Sequence, residues 1–389
     1  MTESLEQLVT SRRIVVAVGA GGVGKTTTAA ALGVAAAAHG RRVLCLTVDP
    51  ARRLAQALGL ERMSSEEQVI DPARFAATGL PLRGSLSAMM LDTKRTFDEL
   101  VLKYSSTPER AKKLLGNKLY QYVSTSLAGT QEYMAMEKLV AVDREGRFDL
   151  IVLDTPPTTN ALDFLDAPDR LVEALDSQTM RWFIQAFEST GKVSLNLLAR
   201  SASVILRGLG RITGGGFLES MAEFITELND LFGGFRQRAQ EVEGVLRGPG
   251  VTFVLVTSPA PMSIQEVLFF NDRLEQAKLA RGAFVVNRFR LPPQTGQTGQ
   301  TGAGAPTEAA ASAAAVARGL PLTNGEPARL VRAYGDAVRL AALDDLHVRS
   351  LTRAVAANVP VVRVPELAGD VHDLAALGDV VRVLMAGGI

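Results

Sequence analysis

Gly19-Ala20-Gly21-Gly22-Val23-Gly24-Lys25-Thr26 is the stretch that decides the fold. It fits the pattern G-x-x-x-x-G-K-[ST] and stands between the β-branched run Ile14 to Val18 and the alanine-rich stretch Thr26 to Ala38. The first run is of the kind that forms a buried parallel strand, and the second is strong helix former. Strand, glycine loop and helix therefore follow in order. Glycines let the backbone curl so that successive N–H groups point inward at a phosphate, and the helix N-terminus adds its partial positive charge. In such a loop Lys25 reaches the β- and γ-phosphates, and Thr26 offers its hydroxyl to Mg²⁺. A glycine-rich turn that binds nothing would not need this strand and helix around it. The motif implies a bound nucleotide.

The 389 residues are 47% hydrophobic and 21% charged, which is ample material for a core. A doubly wound, mostly parallel α/β sheet with one added subdomain is expected. The net charge of +1 comes from 42 basic and 41 acidic residues, well mixed along the chain. No broad electrostatic footprint for nucleic acid results, so nucleic acid is not expected as a partner. The single cysteine, Cys45, excludes an internal disulfide and any multi-cysteine metal site within one chain, and fits a cytoplasmic setting. Met1 to Arg12 carries charge throughout and lacks the apolar centre of a signal peptide. No uncharged apolar run reaches about 18 residues, so an integral membrane protein is not expected.

After the alanine-rich helix, Val43 to Val48 reads as a second buried strand ending in Asp49-Pro50. Cys45 falls inside it and reads as core. Ligands of open α/β sheets bind outside the carboxyl ends of the strands, so Asp49 is expected beside the phosphate loop. Leu86 to Asp92 is a third strand candidate. From Phe97 to Val123 the apolar positions follow helical spacing instead. Phe148 to Leu153 returns to a buried strand and ends in Asp154-Thr155-Pro156-Pro157-Thr158. An aspartate closing an apolar strand is the Walker B arrangement, able to hold a Mg²⁺-bound water and to sense the γ-phosphate.

Between Leu171 and Arg247 lies a helical insertion with apolar stripes, among them Met180, Phe183, Phe187, Phe217, Phe224 and Leu228. Such a stripe is buried either against its own and the preceding helices or against an apolar client in a groove. Val251 to Thr257 and Ala283 to Val286 rebuild the sheet, the latter ending in Asn287-Arg288. Pro292 to about Arg318, with Thr-Gly-Gln repeats and an alanine run, is too poor in large apolar groups to pack and reads as a flexible loop. Helices from Arg329 to Ala357, a strand and turn over Val361 to Leu367, and a closing helix from Val371 to Met385 complete the chain. His39, His347 and His372 have no ligand spacing and read as surface residues. The division that follows is a core of residues 1–95, 148–168 and 248–389, a helical insertion subdomain of residues 96–147 and 169–247, and a flexible loop at 292–318.

With these parts located, the chain resembles the arsenite-pump ATPase (ArsA) family, which includes the eukaryotic tail-anchored-protein targeting ATPases. The likeness covers nearly the whole length. It rests on Gly21-Gly22-Val23-Gly24-Lys25-Thr26-Thr27, Asp49-Pro50-Ala51, the Ala88 to Asp92 strand, Asp154-Thr155 with Pro157-Thr158, Asn287, and the Pro365 to Leu374 segment. The resemblance implies a phosphate-loop NTPase of the SIMIBI class, which also holds signal-recognition GTPases and Min/Par proteins, with ATP and Mg²⁺ as its ligands. It implies that Asp49 belongs to switch I, where it positions or activates the attacking water, and that Asp154 belongs to switch II. With Thr26 these two carboxylates would serve the Mg²⁺. The resemblance also implies that Asn287, Pro365 and Leu367 border the adenine.

Three departures from the family pattern stand out. The family has lysine where this chain has Ala20, and that lysine crosses a dimer to the partner's nucleotide. The targeting branch clamps its dimer with zinc between Cys-x-x-Cys pairs, and the arsenite branch senses metalloid through a cysteine cluster; Cys45 alone supports neither. The expected function is a Mg²⁺-dependent ATPase whose nucleotide cycle drives a dimer, either a homodimer or a heterodimer with a lysine-bearing paralogue, and handles an apolar membrane-protein client. The alternatives are a nucleotide-gated binding module with little turnover, a Min/Par-like positioning ATPase, and an anion or arsenite pump subunit. Without the lysine, Arg52 or Arg53 are the nearest replacement cations in sequence.

Overall fold

The computed structural model describes residues 3–48, 53–76, 78–118, 120–121, 124, 130–155, 224, 237–238, 240–293, 306–320, 322–323, 325–367, 369–371 and 373–388. Its centre is a sheet of eight strands: β1 (Ile14–Gly19), β2 (Arg42–Thr47), β3 (Gln68–Val69), β4 (Ser85–Met90), β5 (Leu150–Asp154), β6 (Val251–Thr257), β7 (Arg281–Phe289) and β8 (Val361–Pro365). Their order across the sheet is β3-β4-β2-β5-β1-β6-β7-β8. Every pairing is parallel except that of β3 with β4. From β1 the chain first builds the β2 side, inserts β5 next to β1, and then builds the β6 side. β1 thus sits at the switch point, where open α/β sheets bind their ligands.

The β-branched runs form strands because both faces of the sheet are covered. Val15 and Ala17 of β1 point into one apolar cluster with Val43, Cys45, Val254, Val256, Ala283 and Val285. Ile14, Val16 and Val18 point into the other with Leu44, Leu46, Phe253, Leu255 and Phe284. This period-two division makes the strands apolar at every position, as buried parallel strands require. The helices Lys25–Ala38 and Leu374–Met385 cover the first face. The helices Thr130–Glu145 and Pro261–Gln276 and the C-terminal part of Glu326–Ala354 cover the second.

A third cluster, Phe97, Leu100, Val101, Leu114, Tyr120 and Tyr133, belongs to helices alone, and Phe224 packs on it. Phe224 is the member of the insertion's apolar stripe that lies among the described residues, and its contacts are with the preceding helices. The helix Thr130–Glu145 joins two environments. Tyr133 and Met134 lie in the helical cluster, whereas Ala135, Met136, Leu139 and Val140 pack on the sheet. A buried ion pair between Glu137 and Arg238 fastens this helix to the segment that leads into β6.

The structure departs from the sequence reading in five places. The segment read as flexible from 292 to 318 contains the helix Glu308–Ala317, capped by Thr307, whose hydroxyl accepts from the Ala310 N–H at 3.2 Å. Ala311 and Ala315 are buried where this helix packs against Glu326–Ala354. Alanine has the highest helix propensity, and its small side chain allows close helix contact without large apolar groups. The two-residue edge strand β3 was not anticipated, nor was the helix Leu5–Ser11 with its Ser4–Gln7 capping box. The helices expected from Arg329 onward are one continuous helix. β7 runs through Asn287 to Phe289 rather than ending at Val286.

Candidate nucleotide-binding site

β1 runs straight into the glycine loop, and the loop's glycines have particular reasons to be glycine. A Cβ on Gly19 would lie 2.0 Å from the Val256 carbonyl oxygen, so β6 can approach only a bare backbone there. Gly24 has φ of 99° and is the N-cap of the helix Lys25–Ala38, with no side chain capping it. The first N–H groups of that helix therefore face the loop's open side, ready for an anion. Asn287 closes the loop from behind by donating its amide to the Val23 carbonyl at 2.9 Å. Lys25 is 5% exposed and donates its ammonium to the carbonyls of Gly19 and Ala20 at 2.9 and 2.7 Å. Its charge is thus held within the loop itself.

On the β5 side, the chain brings oxygen donors together from three elements. Asp154, 1% exposed at the end of β5, accepts from the Thr26 hydroxyl at 2.9 Å and the Thr47 hydroxyl at 3.1 Å. Thr155 donates to the Ala17 carbonyl at 2.8 Å and pins the chain as it leaves the sheet. A carboxylate and a hydroxyl at the start of a helix that follows a glycine loop match the hard donor set of Mg²⁺, which takes one or two protein oxygens and completes its shell with phosphate and water. Among the described residues no group of three or more His, Cys, Asp or Glu forms an all-protein metal cage. Cys45 lies buried in β2, and burial, with the charge of Asp154 adding, pushes its thiol up to about 12. It is a neutral core group rather than a soft ligand. Asp49, Pro50, Ala51 and Arg52 lie outside the described residues. They follow Thr47 and Val48, so the described chain ends beside Asp154 on its way to Asp49.

On the β6 side, a cavity of about 230 Å³ opens beside the loop, with Gly21, Gly22, Ser258, Ser263, Arg288 and Glu366 in its lining. Of the residues expected around a base, Asn287 is committed to the loop, and Pro365 pairs with Phe289 at the end of β8. Leu367 packs on the apolar cluster of the first sheet face. Glu366, between them, is the one of these three β8-end residues that reaches the cavity. Arg290 is occupied by Asp344, which accepts from its side chain at 2.9 and 2.7 Å and from its backbone N–H at 3.0 Å. The sequence reading assigned no role to Thr47, Glu366 or Arg288. Thr47 is a β-branched residue inside the apolar run Val43 to Val48, and nothing in the sequence separates it from core. Ala20 is buried and carries no charge to the site, and Arg53 is exposed at the start of the helix Arg53–Ala57.

A family model described as anion-transporting ATPase matches residues 12–303, three quarters of the chain and the whole of this site apart from the β8 end. The chain belongs to the anion-transporting ATPase family. It is accordingly an ATPase. It is similar to the ATPase GET3 of Phaeosphaeria nodorum, at 27% identity over 281 residues, covering 71% of this chain and 76% of the relative. It is likewise similar to the ATPase get3 of Pyrenophora tritici-repentis, at 26% over 281 residues with 71% and 73% covered. With that of Aspergillus terreus the identity is 26% over 307 residues, with 78% and 81% covered.

Proposed function

We propose that this ATPase is Mg²⁺-dependent and acts as a targeting factor for an apolar membrane-protein segment. The observation that carries the chemical half is the meeting of Thr26, Thr47 and Asp154 beside an uncapped helix N-terminus. In this reading the backbone from Gly21 to Thr27 cradles the phosphates, and Lys25 exchanges its bonds to Gly19 and Ala20 for the β- and γ-phosphate oxygens. Thr26 and Asp154 hold the Mg²⁺, which when bound neutralises charge developing on the transferring phosphoryl group. Asp49 orients or deprotonates the attacking water, and Asn287 holds the loop while the base lies beyond it toward Pro365 and Glu366.

The targeting half is supported by the likeness to the GET3 ATPases and by an apolar helical cluster separate from the sheet. We divide the chain into an ATPase core and a helical subdomain, with residues 135–142 packing on the core side. Among the described residues no helix is long and apolar enough to cross a membrane. In this reading the protein works in the cytoplasm as a homodimer or beside a lysine-bearing paralogue. Ala20 favours slow turnover when the chain acts alone, since a cation at the transferring phosphoryl group is worth about 10³ to 10⁵ in rate.

One experiment tests both halves. The full chain is mixed with a soluble fusion protein ending in an apolar helix of about 20 residues, in ADP, ATP or a non-hydrolysable ATP analogue, and co-purification and phosphate release are measured. The wild type is expected to retain the fusion in the analogue and release it in ADP. Asp49→Asn is expected to lower turnover by about 10²-fold and to retain the fusion in ATP itself. Equal retention in all nucleotides refutes the targeting cycle, and turnover within about twofold of wild type refutes the role of Asp49.

A further inference from the structure

Arg288 has a backbone conformation that long side chains rarely adopt. Among the described residues, two that are not glycine have positive φ, Lys278 and Arg288, each at 58°. Lys278 follows the end of the helix Pro261–Gln276, where a left-handed residue is an ordinary terminator. Arg288 lies inside β7 instead, and the register between β7 and β8 shifts between Val286 and Phe289. This is a bulge, a device that re-aims a side chain next to a site, and its left-handed position ordinarily holds glycine. Strain of this kind persists where the residue is needed for something besides the turn.

The side chain that the bulge carries is exposed and lines the cavity with Gly21 and Gly22. Among the described residues it has no hydrogen-bond or ion-pair partner. The other cations around the loop are engaged, Arg290 by Asp344 and Lys25 by the loop carbonyls. Position 20, on the same loop, contributes only a buried methyl group.

We infer that Arg288 contacts the phosphate chain of a nucleoside triphosphate seated on the loop, bringing from β7 a cation that position 20 lacks. A guanidinium suits this task because its planar fork of donors matches phosphate oxygens. The inference rests on the reading of Gly19 to Thr26 as the nucleotide site.

The test titrates the full chain with a non-hydrolysable ATP analogue by calorimetry, at two salt concentrations, in wild type, Arg288→Gly, Arg288→Lys and Lys25→Ala. The unliganded melting temperatures are measured in parallel. Arg288→Gly is expected to melt no lower than wild type, because glycine relieves the left-handed strain. It is expected to bind the analogue about ten- to a hundredfold more weakly, as loss of a charge-assisted contact implies, and with a shallower salt dependence. Arg288→Lys is expected to recover part of the affinity and the salt dependence. Unchanged affinity in Arg288→Gly while Lys25→Ala loses binding overturns the inference and leaves the nucleotide site standing. Unchanged affinity in Lys25→Ala overturns the site itself. Weaker binding with an unchanged salt dependence, or a lowered unliganded melting temperature, assigns Arg288 a non-electrostatic or purely structural role and overturns the inference as well.

Discussion

Gly24→Ala is the substitution whose cost the structure resolves into parts. A Cβ at this position would lie 2.1 Å from the Asn287 amide nitrogen and 3.2 Å from its carbonyl carbon, at a φ of 99°. The amide is the far end of a flexible side chain, so it swings away and gives up its 2.9 Å hydrogen bond to the Val23 carbonyl. The left-handed conformation costs an alanine about 1–2 kcal/mol. The lost hydrogen bond costs about 1 kcal/mol more, for a total of about 2–3 kcal/mol. Asn287→Ala alone removes the same hydrogen bond and costs about 1 kcal/mol. In the double variant that bond is lost only once, so the combined cost falls short of the sum by about 1 kcal/mol. Urea unfolding of the four proteins, followed by circular dichroism, measures the cycle. Additivity within about 0.3 kcal/mol would show that Gly24 and Asn287 are independent and that the loop is not braced from β7.

Two further outcomes are expected. Thr26→Ala, which removes the hydroxyl that meets Asp154, is expected to leave analogue binding measurable but to abolish its enhancement by Mg²⁺; the same enhancement as wild type in calorimetry with and without the metal would remove Thr26 from the cation site. Cys45, with its thiol pushed up to about 12, is neutral and enclosed at pH 8, so a thiol reagent is expected to label it only after unfolding. Its folded value lies above the unfolded one, so the stability tied to the neutral thiol is complete below the unfolded value and is lost as pH rises toward about 12. Rapid labelling of the native protein at pH 8 would contradict its burial.

The sheet was legible because its strands obey one rule. β1, β2, β5 and β6 are buried on both faces, so each reads as a mostly apolar run, and glycine, proline or an acidic residue stands at its last position or within two residues beyond it, where the chain leaves the sheet. β3 breaks the rule by being two residues long and antiparallel at the edge, too short for any periodicity to register. The helix Glu308–Ala317 was missed for a different reason. Scarcity of large apolar groups argues against a packed segment, yet alanines four apart, Ala311 and Ala315, are buried on the face against which the helix Glu326–Ala354 fits.

The site divides along the same line. Lys25, Thr26 and Asp154 could be singled out because the roles expected of them are tied to spacing along the chain, a loop of fixed length or the end of a strand, and the structure brings Thr26 onto Asp154 beside the loop that holds Lys25. Thr47 and Glu366 reach the site through the order of strands in the sheet, which puts β2 beside β5 and β8 beside β7. That order is a property of the folded sheet and leaves no mark at either residue. Arg288 depends on something less local still, the slip in register between β7 and β8. Read along the chain, Asn287-Arg288-Phe289 is an unremarkable strand end. Only against β8 does it gain a residue with no opposite number. That residue carries a guanidinium, in a left-handed position where glycine or asparagine would turn the chain at less cost. A fold that needed only the bulge would be more stable with glycine there, so the arginine marks a place where binding, and not stability, has set the residue.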